Sequence, residues 1–274
     1  MKYMFAPSVS TIANEWKKYE GYTIRPLPST VAYYEKKIYS LSDQHQFLMY
    51  GGTPEIRNIF QEQNWKVTLF DQSKEMIHAM GHLTKLNQPL SSHEYFVQSN
   101  WLEKFSFHNL FDLVIGDDVI NMISFDQFDF FLKKTSELLS DQGVFICHLL
   151  VKPDEALINQ TFHEVFREYE MGIIKSKYDL ASRLNFICFD KDSYGMGWQR
   201  TIKMIGNQLD HFKPGFDFVD TFGFCNSHFF CPPKNQFEKL ACQYFTIEEI
   251  FYPHEHEYCL FEPVYILNKK RRHR

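Results

Sequence analysis

The chain has 274 residues, 44% hydrophobic and 23% charged; these are ordinary globular values and exclude wholesale disorder. Its formal net charge of −5 excludes a broad basic footprint for duplex nucleic acid, and the one strongly basic run, Lys269 to Arg274, reads as a solvated end. No stretch approaches the roughly 20 apolar residues of a membrane helix, and the six scattered cysteines form no Cys-x-x-Cys pair.

The first residues lack the apolar run of a secretion signal. The expectation is a cytoplasmic protein with reduced thiols that contacts neither membrane nor nucleic acid. Aromatic residues make up 17%, including 28 Phe, which promises bulky cores or an aromatic-lined cavity.

Residues 1–46 precede any strand and are expected to pack as a helical lead-in near one end of a sheet. Phe47-Leu48-Met49-Tyr50 is a short apolar run closed by Gly51-Gly52, a buried strand ending in a turn. Pro54 to Gln63 reads as a helix, with Pro and Glu in its first turn. Lys66 to Phe70 is a second strand stopped by Asp71, and Ser73 to Leu86 a second helix with Ser73 as N-cap. Glu94 to Gln98 and Phe111 to Ile115 are strands, the latter running into Gly116-Asp117-Asp118. Phe125 to Leu139 is helical, and Asp141-Gln142-Gly143 is expected to turn the chain into a fifth strand, Val144 to Val151.

Five strands separated mostly by helices imply parallel pairing through crossovers, with the working edge at their C-terminal ends. After Val151 the rhythm changes. Asp154 to Asp210 is helical or irregular and broken near Gly195-Met196-Gly197, and 212–233 reads as loop. Gln236 to Tyr244 is a helix, and Phe245 to Pro253 and Cys259 to Asn268 are two strands. No repeat or flexible linker divides the chain. The reading is one domain over 1–274 with a cap insert at 154–233; a separate second domain over about 152–233 is the alternative.

The strand ends carry the chemistry. Gly51-Gly52-Thr53 is a tight turn of small residues that lets a ligand approach the backbone. Asp71 stands 19 residues after Gly52, the separation at which an acidic side chain on the second strand reaches a ribose diol bound over the first turn. Asn100-Trp101 follows the third strand, a polar group beside a large ring suited to an adenine. Gly116-Asp117 ends the fourth. A dinucleotide requires Gly-x-Gly-x-x-Gly, which is absent, and Glu55 would repel a pyrophosphate. A ribose-plus-adenine ligand without phosphates fits better, namely S-adenosylmethionine.

From Leu48 to Leu150 the chain resembles class I S-adenosylmethionine-dependent methyltransferases, and in particular bacterial small-molecule enzymes with a Gly-x-Thr-Pro-Glu-x-Arg turn, here Gly51 to Arg57. The matching segments are Val67 to Ile77, Asn100-Trp101, Phe111 to Asp117 and Leu138 to Phe145. Arg25-Pro26 and Tyr33-Tyr34 are similar to a lead-in that covers the methionine end. The resemblance implies a Rossmann-like α/β fold with a seven-stranded, mostly parallel sheet, an antiparallel C-terminal hairpin and a helical cap. It further implies Gly51, Gly52 and Thr53 beneath the ligand and Asp71 on the ribose. Gln72 and Met76 would flank the adenine with Asn100 and Trp101 at its edge, and Gly116 and Asp117 would sit near the methionine part. The usual Gly-x-Gly is reduced to Gly51-Gly52, and the usual Pro-Gly-Gly before the fifth strand has become Asp141-Gln142-Gly143.

Methyl transfer from a sulfonium is an in-line displacement in which alignment supplies much of the acceleration. A base is needed only when the acceptor is protonated, so no catalytic residue is assigned. Asp118, His148 and Tyr34 lie on segments that could face the pocket; His148 reads first as a hydrogen-bonded strand-end histidine. The acceptor, a small molecule, is expected between the lead-in and the insert, where Tyr178, Trp198, Phe216 and Phe224 could form an aromatic wall. Cys225-x-x-His228-x-x-Cys231 has metal-like spacing but no compact second pair, and no metal site is expected. The alternatives are a non-catalytic binding or scaffold protein on the same fold and, less well matched, a nicotinamide-dependent reductase.

Overall fold

A computed structural model describes Trp16 and residues 25–41, 46–103, 107, 110–206 and 228–271. Helix α1 (Pro28–Tyr39) starts on a proline, whose missing N–H costs nothing there, and ends on Lys36 and Lys37, which complement its negative pole. Strand β1 (Phe47–Tyr50) is buried at every residue, as a central parallel strand must be. Helix α2 (Pro54–Glu62) and strand β2 (Val67–Asp71) follow.

Helix α3 (Lys74–Gly81) is shorter than its sequence pattern suggests. Ser73 does cap it, its Oγ accepting from the Met76 N–H at 3.1 Å. The helix stops because residues 82–90 fold back over Gly81, where a Cβ would lie 2.2 Å from the Pro89 carbonyl oxygen. Strands β3 (Glu94–Gln98) and β4 (Phe111–Asp117) precede helix α4 (Phe128–Leu138).

Strand β5 (Leu139–His148) begins directly where α4 ends. Asp141-Gln142-Gly143 is therefore a bulge inside the strand and not the expected turn before it: the pairing with β4 jumps from Phe111–Leu139 to Leu113–Val144. Gly143 is demanded by closeness, since a Cβ there would sit 2.9 Å from the Phe111 carbonyl oxygen. The strand ends three residues earlier than expected.

Short helices α5 (Glu155–Ile158), α6 (Phe162–Glu170) and α7 (Lys177–Ile187) come next, then strand β6 (Gly195–Met196), helix α8 (Trp198–Ile205) and strand β7 (Phe229–Phe230), which pairs with β6. Helix α9 (Lys234–Tyr244) leads to β8 (Phe245–Phe251) and β9 (Val264–Lys269).

The main sheet has seven strands in the order β3-β2-β1-β4-β5-β9-β8. β9 runs antiparallel to both β5 and β8, so β8 points the same way as the other five strands. Strand order reverses between β1 and β4, and the crevice that such a switch point opens lies at their C-terminal ends. Alternating β1 side chains feed the two faces: Leu48 and Tyr50 enter one core with Phe131 and Phe145, and Phe47 and Met49 the other with Ile56 and Phe60. The helices after β5 close a third cluster, in which Val165, Leu180, Leu184 and Ile205 meet Met80 of α3 and Trp16. None of the described helices is long and apolar enough to cross a membrane.

Candidate active site

Gly51 leaves β1 with φ of +76°, a conformation that side chains other than glycine's rarely adopt, and its N–H donates to the Phe70 carbonyl at 3.1 Å. Among the described residues a Cβ on Gly51 would meet only Val119 Cγ1, at an ordinary contact distance of 3.9 Å. Gly52 is held against α3 instead: its Cβ would fall 2.8 Å from Ile77 Cδ1. Thr53 caps α2 through its backbone, its carbonyl accepting from Arg57 N–H at 3.2 Å.

The rest of the Gly-x-Thr-Pro-Glu-x-Arg turn braces this geometry. Arg57 is fully buried and bonds both oxygens of Glu94 on β3, at 2.8 and 2.7 Å, with further bonds to the carbonyls of Ile77 (2.7 Å) and Pro89 (2.9 Å). Glu55 Oε1 accepts from Arg25 Nε at 2.7 Å and Trp16 Nε1 at 3.1 Å, fastening the lead-in to the first turn of α2. Its Oε2 is buried with no hydrogen-bond partner among the described residues.

Asp71 ends β2 beside this turn. Its Oδ1 accepts from the Ser73 N–H at 2.7 Å. Burial raises its pKa, against the lowering pull of the Ser73 and Gln72 N–H groups. Gln72 is exposed, its carbonyl taken by Gln98 Nε2 at 3.1 Å, and Met76 packs towards the third core cluster. After β3, Asn100 Oδ1 accepts from the Leu102 N–H at 2.9 Å. Trp101 donates from Nε1 to the Phe70 carbonyl at 2.8 Å, the oxygen that Gly51 also uses. Its polar edge is thus committed to the sheet, and its ring meets Tyr50 edge-on at 6.0 Å.

At the ends of β4 and β5 lies a buried ionic group. Asp117 Oδ1 accepts from Tyr34 OH at 2.8 Å and lies 2.9 Å from His148 Nδ1; Asp118 Oδ1 lies 3.2 Å from the same nitrogen. Asp118 adopts a left-handed backbone, φ +54°. Gly116 has no room for a side chain, since its Cβ would be 2.4 Å from Val119 Cγ2. Burial, with Asp117 beside it, pushes Asp118 up to about 7 against the pull of His148. Burial alone would lower His148, but Asp118 and Asp117 overcome it and hold the imidazole up at about 10. Burial and the neighbouring Asp117 push the Tyr34 phenol well above its ordinary range.

The strand-end histidine is therefore only half satisfied: Nδ1 is held by two carboxylates while Nε2 is buried with no hydrogen-bond partner among the described residues. Glu262, which sequence reasoning did not single out, is 1% exposed with Oε1 likewise unpartnered among the described residues, and burial raises its pKa well above the usual carboxylate range. The signal was present in Phe261-Glu262-Pro263, a lone acid within an otherwise apolar run.

The structure thus gathers Gly51, Gly52, Thr53, Asp71, Gly116 and Asp117 at the C-terminal ends of adjacent strands β2, β1 and β4. Of the expected aromatic wall, Tyr178 packs against His256, with rings 5.2 Å apart; the Trp198 side chain, Phe216 and Phe224 lie outside the described residues, as does Cys225. His228 packs on Phe230, and Cys231 is buried in the core.

This strand order, with a single reversed strand between β5 and β8, is the class I methyltransferase fold. No protein-family model matches the chain, and no curated protein matches it. Solved structures do. A Methanosarcina mazei S-adenosylmethionine-dependent methyltransferase is 14% identical, with 85% of this chain and 96% of that one covered and a TM-score of 0.53. The Burkholderia thailandensis 1,6-didemethyltoxoflavin N1-methyltransferase, solved with S-adenosylhomocysteine and 1,6-didemethyltoxoflavin, is 11% identical over 99% of this chain and 94% of that one, at 0.53. A Rhodobacter sphaeroides protein provisionally named a zinc-dependent alcohol dehydrogenase is 13% identical over 95% and 99%, at 0.57. At such identities the likeness establishes the shared fold.

Proposed function

We propose that the protein is an S-adenosylmethionine-dependent methyltransferase acting on a small-molecule acceptor. The observation that carries the reading is the placement of Asp71 at the end of β2 beside the positive-φ turn at Gly51, next to the switch point between β1 and β4. The residues fit such a ligand. A carboxylate accepts from both hydroxyls of a ribose, and a glycine turn without side chains admits the nucleoside to the backbone. Glu55 disfavours the phosphates of a dinucleotide.

When bound, S-adenosylmethionine supplies an electrophilic methyl group on a sulfonium. The chain's own part is to hold and align. Gly51, Gly52 and Thr53 would form the floor and Asp71 would hold the ribose. Gln72, Met76, Asn100 and Trp101 would surround the adenine, with Trp101 offering its ring and not its N–H. Gly116 and Asp117 would adjoin the methionine part. The acceptor would enter between the lead-in and the cap at 154–233, and approach to about 3 Å of the methyl carbon suffices for in-line transfer. The net charge of −5 favours a small acceptor over nucleic acid, and the scattered cysteines without a disulfide framework favour a reducing, cytoplasmic setting.

Calorimetric titration with S-adenosylmethionine tests this, alongside Asp71→Ala and Asp71→Asn. Micromolar binding that both variants weaken, with their thermal midpoints retained, is expected. No binding to the wild type overturns the reading. Binding without formation of S-adenosylhomocysteine across amine, hydroxyl and carbon acceptors would favour a non-catalytic binding protein on the same fold, which the reduced Gly51-Gly52 turn keeps as the second reading.

A further inference from the structure

We propose that Asp117, Asp118 and His148 form a binding site for one divalent transition-metal cation, with Glu262 as the outer carboxylate behind the histidine. The site shares Asp117 with the proposed cofactor pocket, but its test uses the metal alone.

The donor atoms already lie where a metal would gather them. His148 Nδ1 is 2.9 Å from Asp117 Oδ1 and 3.2 Å from Asp118 Oδ1, and the group's ligand atoms all fall within 4.8 Å of one another. Around a cation with bonds of about 2.1 Å, adjacent donors stand about 3.0 Å apart in an octahedron and about 3.4 Å in a tetrahedron. The backbone is shaped for this convergence. Successive side chains of an extended strand point to opposite faces, yet Asp117 and Asp118 both reach one nitrogen, because Asp118 leaves the strand with φ of +54°. Left-handed non-glycine residues carry strain that concentrates at functional sites.

The group is largely buried. The side chains of Asp117, Asp118 and His148 are 5%, 17% and 3% exposed, and Glu262 is 1% exposed. Among the described residues no lysine or arginine pairs with any of the four groups. Asp117 and Asp118 therefore share one imidazole in a largely buried site, where a bound dication would take the place of the imidazole's proton.

The two orphaned atoms point the same way. A metal on Nδ1 leaves the neutral imidazole's proton on Nε2, which then needs an acceptor. A carboxylate commonly takes that place on metal-bound histidines, and Glu262, whose Oε1 has no partner among the described residues, lies two positions before Val264, the strand partner of His148. One imidazole with carboxylates suits manganese, iron, cobalt or zinc better than an all-oxygen ion such as calcium.

The test is a titration of the full, tag-free chain, stripped with chelator, with Co2+ and Mn2+, read by visible absorption and calorimetry. One equivalent is expected to bind and to raise the thermal midpoint, and Asp118→Asn and His148→Gln should each weaken it at least tenfold, as losing an outer partner alone commonly does. Electron spin-echo modulation from one imidazole nitrogen on Mn2+ is expected in the wild type. Absence of near-stoichiometric binding, absence of that nitrogen signal, or undiminished affinity in folded variants overturns the site; the nitrogen signal decides if a variant does not fold. S-Adenosylmethionine titrated into the metal-free chain separates this outcome from the fate of the methyltransferase reading.

Discussion

Tyr34 donates its phenolic proton to Asp117 Oδ1 at 2.8 Å and so joins α1 to the end of β4 across 83 positions of sequence. Tyr34 is fully buried, and the same helix is held by Ser29, whose N–H and hydroxyl both bond Glu255 at 2.6 Å, and by the Tyr33 ring stacked on Phe251 at 4.3 Å. Removing one hydrogen bond to a buried carboxylate costs about 1.5–3 kcal/mol. Tyr34→Phe should therefore lower stability in urea by about that amount while α1 stays docked through Ser29 and Tyr33. A loss below about 0.5 kcal/mol would mean that the phenol's bond exchanges freely with water.

The pairing of Arg57 with Glu94 predicts a pH dependence. Both side chains are fully buried. Burial raises the pKa of Glu94, but its bonds to Arg57 outweigh this and lower it overall. A carboxyl whose folded pKa lies below its unfolded value contributes stability that is fully present above the unfolded value. That contribution is lost as pH falls through the folded value. Glu94→Gln should lose about 3–5 kcal/mol at neutral pH, because the guanidinium stays buried without its counter-charge. It should also flatten the wild-type fall in stability below about pH 4.5. Denaturant midpoints measured from neutral to acid pH check both; an unchanged acid slope would assign it to other carboxylates.

Gly116 and Val119 should behave as one unit. A Cβ at Gly116 would come within 2.4 Å of Val119 Cγ2, in the tight passage from β4 into the left-handed Asp118. Gly116→Ala should destabilise by about 1–3 kcal/mol through overpacking. Val119→Ala, made in the same background, should recover part of that loss, giving a coupling of about 0.5 kcal/mol or more in a double-mutant cycle. Strict additivity would show that the strain relaxes through the backbone instead.

Where the sequence was legible, one local signal and one long-range need agreed. β1 is apolar at all four positions because it lies in the sheet's centre, and Ser73 caps α3 where its hydroxyl predicts. The extent of α3 and the start of β5 were not legible, because neither is decided locally. Gly81 is pressed by Pro89, and Gly143 by Phe111 from the neighbouring strand. The turn residues at Asp141-Gln142-Gly143 have the composition of a loop, yet β4 pulls them into a bulge. At the candidate site, Gly51 and Asp71 follow from spacing, whereas Glu262 precedes β9, whose Val264 pairs with His148 across more than a hundred residues and leaves no periodic trace. Trp101 was visible as a ring near the proposed nucleoside position, but its bond to Phe70 was not.

Gly51 separates the cost of the turn's shape from the cost of filling the space above it. With φ of +76°, alanine would carry about 1–2 kcal/mol of backbone strain, whereas asparagine enters the left-handed region more readily. Among the described residues the nearest atom to a Cβ is Val119 Cγ1 at 3.9 Å, so the added Cβ itself meets no clash. Gly51→Asn should accordingly keep a thermal midpoint closer to the wild type than Gly51→Ala does. Its binding of S-adenosylmethionine should nevertheless be weakened at least tenfold, because the amide would occupy the ground where the nucleoside is proposed to lie. Calorimetry on the two variants, each with its own melting curve, is the check. Wild-type affinity in a stable Gly51→Asn protein would remove the ligand from this turn and leave Asp71 as an ordinary cap for Ser73.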